Sequence, residues 1–413
     1  MNKSNNSDFL NIMNERGFIH QITDNEKLEK ELLANSMTGY IGFDCTAPSL
    51  HVGSLIQIMM LRWFQKTGHK PIVLMGGGTT KIGDPSGKDN ARPVLSSETI
   101  KKNQESIKTI FEKFLKFGVS NNEALMVDNS KWLEKLNYIS FLRDFGSSFS
   151  INKLINLESV KQRLDREQNL SFLEFNYSLL QAFDFLQLHK EYGCKIQMGG
   201  SDQWGNIVTG LDLIKKKTSK QSFGFTSPLL TTSSGAKMGK TANGAIWLNE
   251  EQLSDWEFWQ YWRNTEDLDV VKFLKLFTEI PITEISKLEQ LKGAEINEAK
   301  IVLANEVTKL CRSPEAAKKI TISASNVFNK IKADEALPTI NVLQPEISFI
   351  NALKSLNFIK TNGEARRLIR GNGAKINDVV VVDENYVLRS EDYKNGKVKV
   401  SFGKKRHGLL ILK

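Results

Sequence analysis

Two lysines three residues apart, Lys237 and Lys240, form the segment KMGKT with Thr241. The preceding residues, LLTTSSGA, are small and polar, as is typical of a loop. A lysine ammonium is a compact point charge that suits phosphate, so the segment is a candidate for closing over a triphosphate. Taken alone, the motif is more simply a solvated turn.

A second candidate phosphate site is the segment LHVGSL, in which His51 and Ser54 bracket Gly53 at the predicted start of a helix. Free N–H groups and the helix dipole attract phosphate oxygens there. The absent side chain of Gly53 allows a flat ring to approach the backbone. Taken alone, the segment is more simply a capped helix with a chance histidine.

Polar residues of NYSLLQAFD share one helical face, because Tyr177, Gln181 and Asp184 are spaced i, i+4, i+7. Apolar residues flank that face, and buried polar groups need partners. The pattern indicates a pocket for a polar small molecule or a buried hydrogen-bond cluster.

The segment GGSDQWGN places Asp202 and Gln203 between glycines, after a predicted strand and before a predicted helix. Ligands of open α/β sheets bind beyond the carboxyl ends of the strands, so this turn is a further candidate site.

The segment MGGGTTKIGDPSGKDNAR (75–92) follows an apolar strand but matches a P-loop poorly. The first glycine of G-x-x-x-x-G-K-[ST] falls on Ile82, and Asp89 follows Lys88 where Ser or Thr is needed. The glycines still allow a ligand to come close to the backbone.

These segments are positioned by alternating predicted strands and helices between residues 40 and 225. A strand at 39–44, a helix at 51–68 and a buried strand at 70–78 form a βαβ unit. Residues 194–217 repeat strand, glycine-rich turn and helix, and residues 250–325 carry apolar side chains at helical spacing. The sequence therefore predicts an α/β protein with a Rossmann-like parallel-sheet domain and an α-helical middle domain.

The C-terminal part predicts a small α+β unit after a proline-containing linker. Thr361 and Glu364 fit a capping box that opens a short helix, and two strand-like segments follow. The predicted boundaries are 1–245 for the Rossmann-like domain, 246–330 for the helical domain, 331–345 for the linker and 346–413 for the C-terminal unit.

Charge and composition restrict the class of protein. The 413 residues carry a net charge of +9, and residues 346–413 hold 14 Lys and Arg against 7 Asp and Glu. Such a basic block indicates a nucleic-acid partner or a solvated basic surface. Three scattered cysteines and five scattered histidines argue against a structural metal. The longest apolar run, 55–64, contains Arg62, so we expect no membrane span, no secretory signal and a cytoplasmic location.

Together and in this order, the segments resemble the bacterial tyrosyl-tRNA synthetases over nearly the whole chain. YIGFDCTAPSLHVGSL resembles the first class I signature, HIGH, and KMGKT resembles the second, KMSKS. GDPSGK, NYSLLQAFD and GGSDQWGN are similar to patterns of the tyrosine enzymes, and the tail resembles their small RNA-binding domain.

The resemblance implies a tyrosine–tRNA ligase. ATP, accompanied by Mg²⁺, and L-tyrosine give tyrosyl-adenylate and pyrophosphate, and the tyrosyl group then moves to the 3′-terminal ribose of tRNA(Tyr). The tyrosine carboxylate is already a nucleophile, so positioning and charge stabilisation carry the first step. A homodimer is also implied.

The resemblance assigns roles residue by residue. Tyr40 and Asp184 hold the phenol hydroxyl, Asp84 holds the ammonium group, and Lys88 and Arg92 grip the departing pyrophosphate. The residues implied for tyrosine are Tyr40, Thr79, Asp84, Tyr177, Gln181, Asp184 and Gln203. Those implied for ATP are Asp44, His51, Gly53, Ser54, Gly200, Asp202 and Lys240. The implied catalytic residues are Thr46, His51, Lys88, Arg92, Lys237, Lys240 and Thr241.

Three departures from the family pattern stand in the signatures. Ser54 replaces the last histidine of HIGH and retains one hydrogen-bond donor. Cys45 stands where proline is common, and Ile41 where a cysteine often contacts the ribose. Gly239 and Thr241 vary the KMSKS pattern.

Arg366, Arg367 and Arg370 lie on one predicted helix of the tail, where Arg366 and Arg370 are i, i+4 neighbours. The resemblance implies that they contact tRNA phosphates. Two alternatives are a tryptophan-specific relative, which has no phenol to bind, and an RNA-binding paralogue without catalysis. Tyr40 with Asp184 argues against the first, and the KMGKT segment with Asp84, Asp184 and Gln203 argues against the second.

Overall fold

The computed structural model describes residues 7–86, 95–233, 235, 238–241, 244–328, 337–403 and 406–412. The chain divides into two compact units. One comprises Met1–Asn249 with Glu266–Ile296, and the other comprises Glu250–Thr265 with Asn297–Lys413.

The helices and strands are numbered in chain order. The helices are α1 (Asp8–Arg16), α2 (Asn25–Ala34), α3 (Leu55–Lys66), α4 (Ser97–Phe114), α5 (Ser130–Leu133), α6 (Tyr138–Phe145), α7 (Ile151–Leu154), α8 (Glu158–Asp165), α9 (Phe172–Phe175), α10 (Tyr177–Tyr192), α11 (Trp204–Thr218), α12 (Asp255–Arg263), α13 (Val270–Phe277), α14 (Ile282–Leu288), α15 (Ile296–Cys311), α16 (Pro314–Phe328), α17 (Phe349–Ser355) and α18 (Asn362–Arg370). The strands are β1 (Gln21–Ile22), β2 (Thr38–Phe43), β3 (Lys70–Met75), β4 (Leu125–Asp128), β5 (Ile196–Gly200), β6 (Phe223–Ser227), β7 (Lys240–Thr241), β8 (Gly244–Ala245), β9 (Thr339–Val342), β10 (Ile347–Ser348), β11 (Ala374–Ile376), β12 (Val379–Val380), β13 (Val387–Leu388), β14 (Lys397–Phe402) and β15 (Arg406–Leu412).

A six-stranded sheet with the order β1-β6-β5-β2-β3-β4 forms the centre of the first unit. β2 to β6 pair in parallel, and β1 pairs with β6 in antiparallel fashion. In β3 every residue after Lys70 is buried, as expected for a parallel strand covered on both faces. The predicted βαβ unit is confirmed as β2-α3-β3.

Helices cover the sheet and close its core. α3 has buried side chains around most of its circumference, including Ile58, Met59 and Phe64. It begins after a 3₁₀ turn at Val52–Ser54, so the α-helix starts four residues later than the sequence predicts. On the other face, α10 packs Phe183 into a cluster with strand residues of β2 and β3.

The predicted helices beyond residue 250 are confirmed as α12, α13 and α15. Residues Glu266–Ile296 nevertheless belong to the first compact unit. Arg16 of α1 explains part of this arrangement, because its guanidinium donates to the carbonyls of Lys275, Thr278 and Ile280 at 2.9, 2.9 and 2.7 Å. These bonds satisfy carbonyls at and just beyond the carboxyl end of α13.

The C-terminal sheet has the order β12-β11-β14-β15-β9. β9 pairs in parallel with β15, although it lies inside the segment 331–345 that was predicted as a linker. The Thr361 side chain caps α18 by accepting from the Glu364 N–H, as predicted. The reciprocal bond of the predicted capping box differs, because the Glu364 carboxylate accepts from the N–H of Lys360.

None of the helices in the described ranges is both long and apolar enough to cross a membrane.

Candidate active site

A cavity of about 440 Å³ lies at the carboxyl ends of β2, β3 and β5. This is the position at which open parallel sheets bind ligands. The structure brings residues from all the N-terminal motifs together here. The predicted site residues in the lining are Tyr40, Asp44, Thr46, His51, Ser54, Thr79, Asp84, Tyr177, Gln181, Asp184, Gly200, Asp202 and Gln203.

Asp184 is a buried carboxylate of this cavity, with 2% of its surface exposed. Its Oδ1 accepts a 2.7 Å hydrogen bond from Nε1 of Trp132, and its Oδ2 accepts a 2.9 Å bond from Nδ2 of Asn129. Burial raises the pKa of Asp184 to about 7, against the two hydrogen bonds, which lower it. The carboxylate is thus held in place by hydrogen bonds, while burial makes its ionisation costly.

Tyr40 contributes a second buried polar group from β2. The residue is 1% exposed, and its hydroxyl has no hydrogen-bond partner within the described part of the chain. Burial raises the pKa of Tyr40, and the negative charge of Asp184 adds to this rise. A buried hydroxyl without a partner indicates that a ligand supplies one.

Asp44 joins two of the residues implied for the ammonium group. Thr79 Oγ1 donates to its Oδ1 at 2.8 Å, and the Tyr177 hydroxyl donates to its Oδ2 at 3.0 Å. Asn129 Nδ2 donates to Thr79 Oγ1 at 3.0 Å. The resemblance implies Asp44 for ATP, and its carboxylate is hydrogen-bonded to two side chains that are implied for tyrosine.

A chain of amides links Asp84 to α10 and α11. Gln203 Nε2 donates to Asp84 Oδ2 at 2.9 Å, and Gln181 Nε2 donates to Gln203 Oε1 at 3.2 Å. Asn206 Nδ2 donates to Gln181 Oε1 at 2.9 Å. Each amide is therefore oriented by its neighbour, which fixes the groups that face the cavity.

The glycines after β3 donate hydrogen bonds to protein side chains. The N–H of Gly77 donates to Asp128 Oδ1 at 3.2 Å, and the N–H of Gly78 donates to Asn129 Oδ1 at 2.8 Å. A Cβ on Gly76 would lie 2.3 Å from Asp44 Oδ1. These N–H groups hold polar residues of the cavity and are not turned to a phosphate.

The two signature segments meet through their backbones. The N–H of Val52 donates to the carbonyl of Ile246 at 2.9 Å, and a Cβ on Gly239 would lie 3.0 Å from the Gly53 nitrogen. Gly239 has φ +91°, a conformation that favours glycine. His51 Nδ1 accepts from the Gly53 N–H at 3.0 Å, so the neutral ring carries its proton on Nε2.

Several implied catalytic side chains lie outside the described residues. Lys88, Arg92 and Lys237 fall there entirely. For Lys240 and Thr241 the backbone is described, as β7 pairs with β8, but their side chains are not.

The departures at Cys45 and Ile41 have local explanations. The Cys45 N–H donates to Thr80 Oγ1 at 2.8 Å, a bond that proline cannot make. The Cys45 thiol is buried, which raises its pKa. Ile41 lines the cavity with a side chain that has no group for hydrogen bonding to a ribose.

Asn129, Trp132 and Asn206 are site residues that the sequence did not single out. Asn129 directly follows β4, so its position at the carboxyl end of a sheet strand was the available signal. Asn206 lies in the GGSDQWGN segment itself. Trp132 carries no such signal, because its role depends on the distant Asp184.

The candidate RNA-contacting helix is α18. Arg366, Arg367 and Arg370 are all exposed. Glu384 forms ion pairs with Arg366 and Arg370, so two of the three guanidiniums share one carboxylate.

No cluster of three or more His, Cys, Asp or Glu side chains in the described ranges is arranged to hold a metal ion.

Comparisons with known proteins agree with this architecture. The family described as tRNA synthetases class I (W and Y) matches residues 33–329. The chain is 54% identical over 404 residues to a protein named Tyrosine--tRNA ligase from Novosphingobium aromaticivorans, and equally to one of that name from Zymomonas mobilis, with 98% of each chain covered. It also resembles the crystal structure of a C-terminally truncated mitochondrial tyrosyl-tRNA synthetase from Aspergillus nidulans, with TM-score 0.70, 31% identity, and coverage of 79% of this chain and 95% of that one. The chain therefore belongs to the class I tRNA synthetases of the W and Y family.

Proposed function

We propose that this chain is the tyrosine-specific member of its family, a tyrosine–tRNA ligase. Two buried polar groups in one cavity support this proposal most directly. They are the Tyr40 hydroxyl, which has no hydrogen-bond partner among the described residues, and the Asp184 carboxylate. A phenol hydroxyl donates to the carboxylate and accepts from Tyr40. The indole of tryptophan has no hydroxyl at this place, and the names of the close relatives support the same choice.

The amino acid is held at both ends. The cluster of Asp44, Thr79, Asp84, Tyr177 and Gln181 supplies carboxylates and a hydrogen-bonded scaffold for the ammonium ion. Gln203 adjoins this cluster and is assigned to the tyrosine carboxylate.

In the activation step a carboxylate oxygen of tyrosine bonds to the α-phosphorus of ATP. The bond from that phosphorus to the bridging oxygen of pyrophosphate breaks, and pyrophosphate leaves with the electron pair. No proton moves at the nucleophile, so the protein's task is positioning and charge stabilisation. We assign Asp202, Gly200, Gly53 and Ser54 to the nucleoside, Thr46 and His51 to the γ-phosphate, and Lys88, Arg92, Lys237, Lys240 and Thr241 to the pyrophosphate. Mg²⁺ enters with ATP as part of the substrate.

In the transfer step a hydroxyl of the 3′-terminal ribose of tRNA(Tyr) attacks the tyrosyl carbonyl and AMP leaves. We assign tRNA binding in part to residues 346–413, with Arg366, Arg367 and Arg370 on α18, and the anticodon side to residues 246–330. Residues 1–245 are the proposed catalytic domain, and the cytoplasm, where tRNA is charged, is the proposed location.

A second copy of the chain is the proposed partner. Large apolar side chains in residues 138–173 are exposed, and we call them the apolar 138–173 surface: Tyr138, Ile139, Leu142, Ile151, Ile155, Leu164, Phe172 and Leu173. Such concentrations of exposed apolar side chains mark interfaces. All of them belong to the first unit, so the proposed homodimer joins two catalytic domains.

The test is amino-acid-dependent exchange of pyrophosphate into ATP across a panel of amino acids. We expect exchange with tyrosine. Exchange with tryptophan and not with tyrosine would assign the chain to its tryptophan-specific relatives, and a lack of exchange with every amino acid would support the RNA-binding paralogue.

A further inference from the structure

The residues that lead into the KMGKT segment are tied to the start of α13. The N–H of Ser233 donates to Asp269 Oδ2 at 2.8 Å, and its hydroxyl lies 3.2 Å from the same oxygen. The Ser233 hydroxyl also donates to Glu266 Oε2 at 2.6 Å. Lys272 Nζ donates to the Thr231 carbonyl at 3.0 Å. Three side chains at or just before the start of α13 thus hold two residues of the loop, Thr231 and Ser233.

The Asp269 carboxylate accepts a hydrogen bond from outside its own helix. Asp269 stands at the N-cap position of α13, where an aspartate ordinarily accepts from the first N–H groups of its own helix. It makes no such bond, although it is only 3% exposed. This buried carboxylate accepts from Ser233, 36 residues earlier, and not from its own helix. It therefore stabilises that distant segment.

The helix that begins after Asp269 is anchored at its other end. The three hydrogen bonds from Arg16 fix the far end of α13 to the first helix of the same unit. The two ends of the loop are joined, because the Met238 N–H donates to the Leu230 carbonyl at 3.0 Å. The segment that follows the loop is also held in place. The N–H of Val52 donates to the Ile246 carbonyl, and the N–H of Leu248 donates to the Leu50 carbonyl.

We propose that Asp269 is a positioning residue for the activation reaction. By fixing Ser233, it sets the position from which the chain enters the KMGKT segment, in which Gly239 lies against Gly53 and His51. This inference rests on the proposed function. Of the described residues, those lining the cavity do not include Asp269, so its effect is expected on ATP and on the rate, not on tyrosine binding.

The test compares Asp269→Ala with Asp269→Asn in tyrosine-dependent pyrophosphate exchange and in equilibrium binding of tyrosine. A small displacement of positioned groups costs up to about 100-fold in rate. We expect Asp269→Ala to lower kcat by about 10- to 100-fold and to raise the KM for ATP, with the Kd for tyrosine unchanged. Asp269→Asn keeps an acceptor oxygen for Ser233 and should recover part of the loss.

The matched control is Glu284→Gln, because Glu284 is an exposed carboxylate of the same compact unit and should behave as the wild type. Wild-type kinetics in Asp269→Ala, or parallel losses of tyrosine and ATP binding, would overturn the inference while leaving the proposed function intact. If thermal unfolding shows that Asp269→Ala is unfolded, the same measurements are made on Asp269→Asn and Lys272→Met. A lower kcat with an unchanged Kd for tyrosine supports the inference, and wild-type kinetics in both variants overturn it. Absence of exchange in the wild type would instead overturn the proposed function.

Discussion

The indole Nε1 of Trp132 donates a 2.7 Å hydrogen bond to Oδ1 of Asp184, across 52 residues of sequence. With Asn129 on the other oxygen, this bond fixes the carboxylate that we assign to the substrate phenol. It also lowers the pKa of Asp184 against the larger effect of burial, and so keeps the charged form accessible. The selectivity of the cavity thus depends on a residue that needs no contact with the substrate.

Replacing Trp132 by Phe should weaken tyrosine binding. A hydrogen bond to a charged group contributes about 1.5–3 kcal/mol, so we expect the KM for tyrosine to rise by about 10- to 100-fold. The KM for ATP should change little. The control is Trp256→Phe, because the buried Trp256 N–H has no hydrogen-bond partner in the described ranges. Equal effects of the two substitutions would show that loss of indole packing, and not this bond, matters.

Asp184 should make the free protein less stable as the pH rises. Its pKa is raised to about 7, so between about pH 4 and 7 the folded state binds more protons than the unfolded state. The free energy of unfolding therefore falls over this range, by roughly 1.4 kcal/mol for each unit of pKa difference. Asp184→Asn removes that part of the pH dependence, which urea unfolding from pH 5 to 8 measures. A pH dependence unchanged in Asp184→Asn, and equal to that of the exposed-site control Asp165→Asn, would contradict the assignment.

The sequence predicted the elements near the cavity because their signals are local. The unbroken apolar run of β3, the helical spacing in α10 and the glycine-flanked turn after β5 each specify their own structure. Bonds between distant segments have no such signal. Trp132 to Asp184, Asp269 to Ser233 and the N–H groups of Gly77 and Gly78 all depend on which distant segments become neighbours in the folded chain.

Glu384 should oppose RNA binding by α18. It forms ion pairs with Arg366 and Arg370, so an RNA phosphate must compete with an existing carboxylate. Exposed ion pairs are weak and screened by salt, so Glu384→Gln should tighten tRNA binding by about 2- to 5-fold in low salt. Arg367→Ala should weaken it, with a shallower salt dependence. Measured by titration of tRNA, wild-type affinity in both variants would argue against RNA contact at α18.

The apolar 138–173 surface should hold the proposed dimer together. Phe172 is 68% exposed, and placing a charge there by Phe172→Asp should give monomers in sedimentation. The control is Val119→Asp, because Val119 is 94% exposed and lies outside this surface. A dimer that persists in Phe172→Asp, or one that dissociates equally in both variants, would exclude this surface as the specific interface.

The most direct test of the central claim is the ratio of kcat/KM for tyrosine to that for phenylalanine in pyrophosphate exchange. Phenylalanine leaves the Tyr40 hydroxyl and Asp184 unpaired, a form of rejection for which enzymes of this family are the standard example. From the cost of two unpaired buried groups, at about 1–3 kcal/mol each, we predict a ratio of at least about 30, which Tyr40→Phe should reduce. A wild-type ratio near one would contradict the assignment of Tyr40 and Asp184 to the substrate hydroxyl.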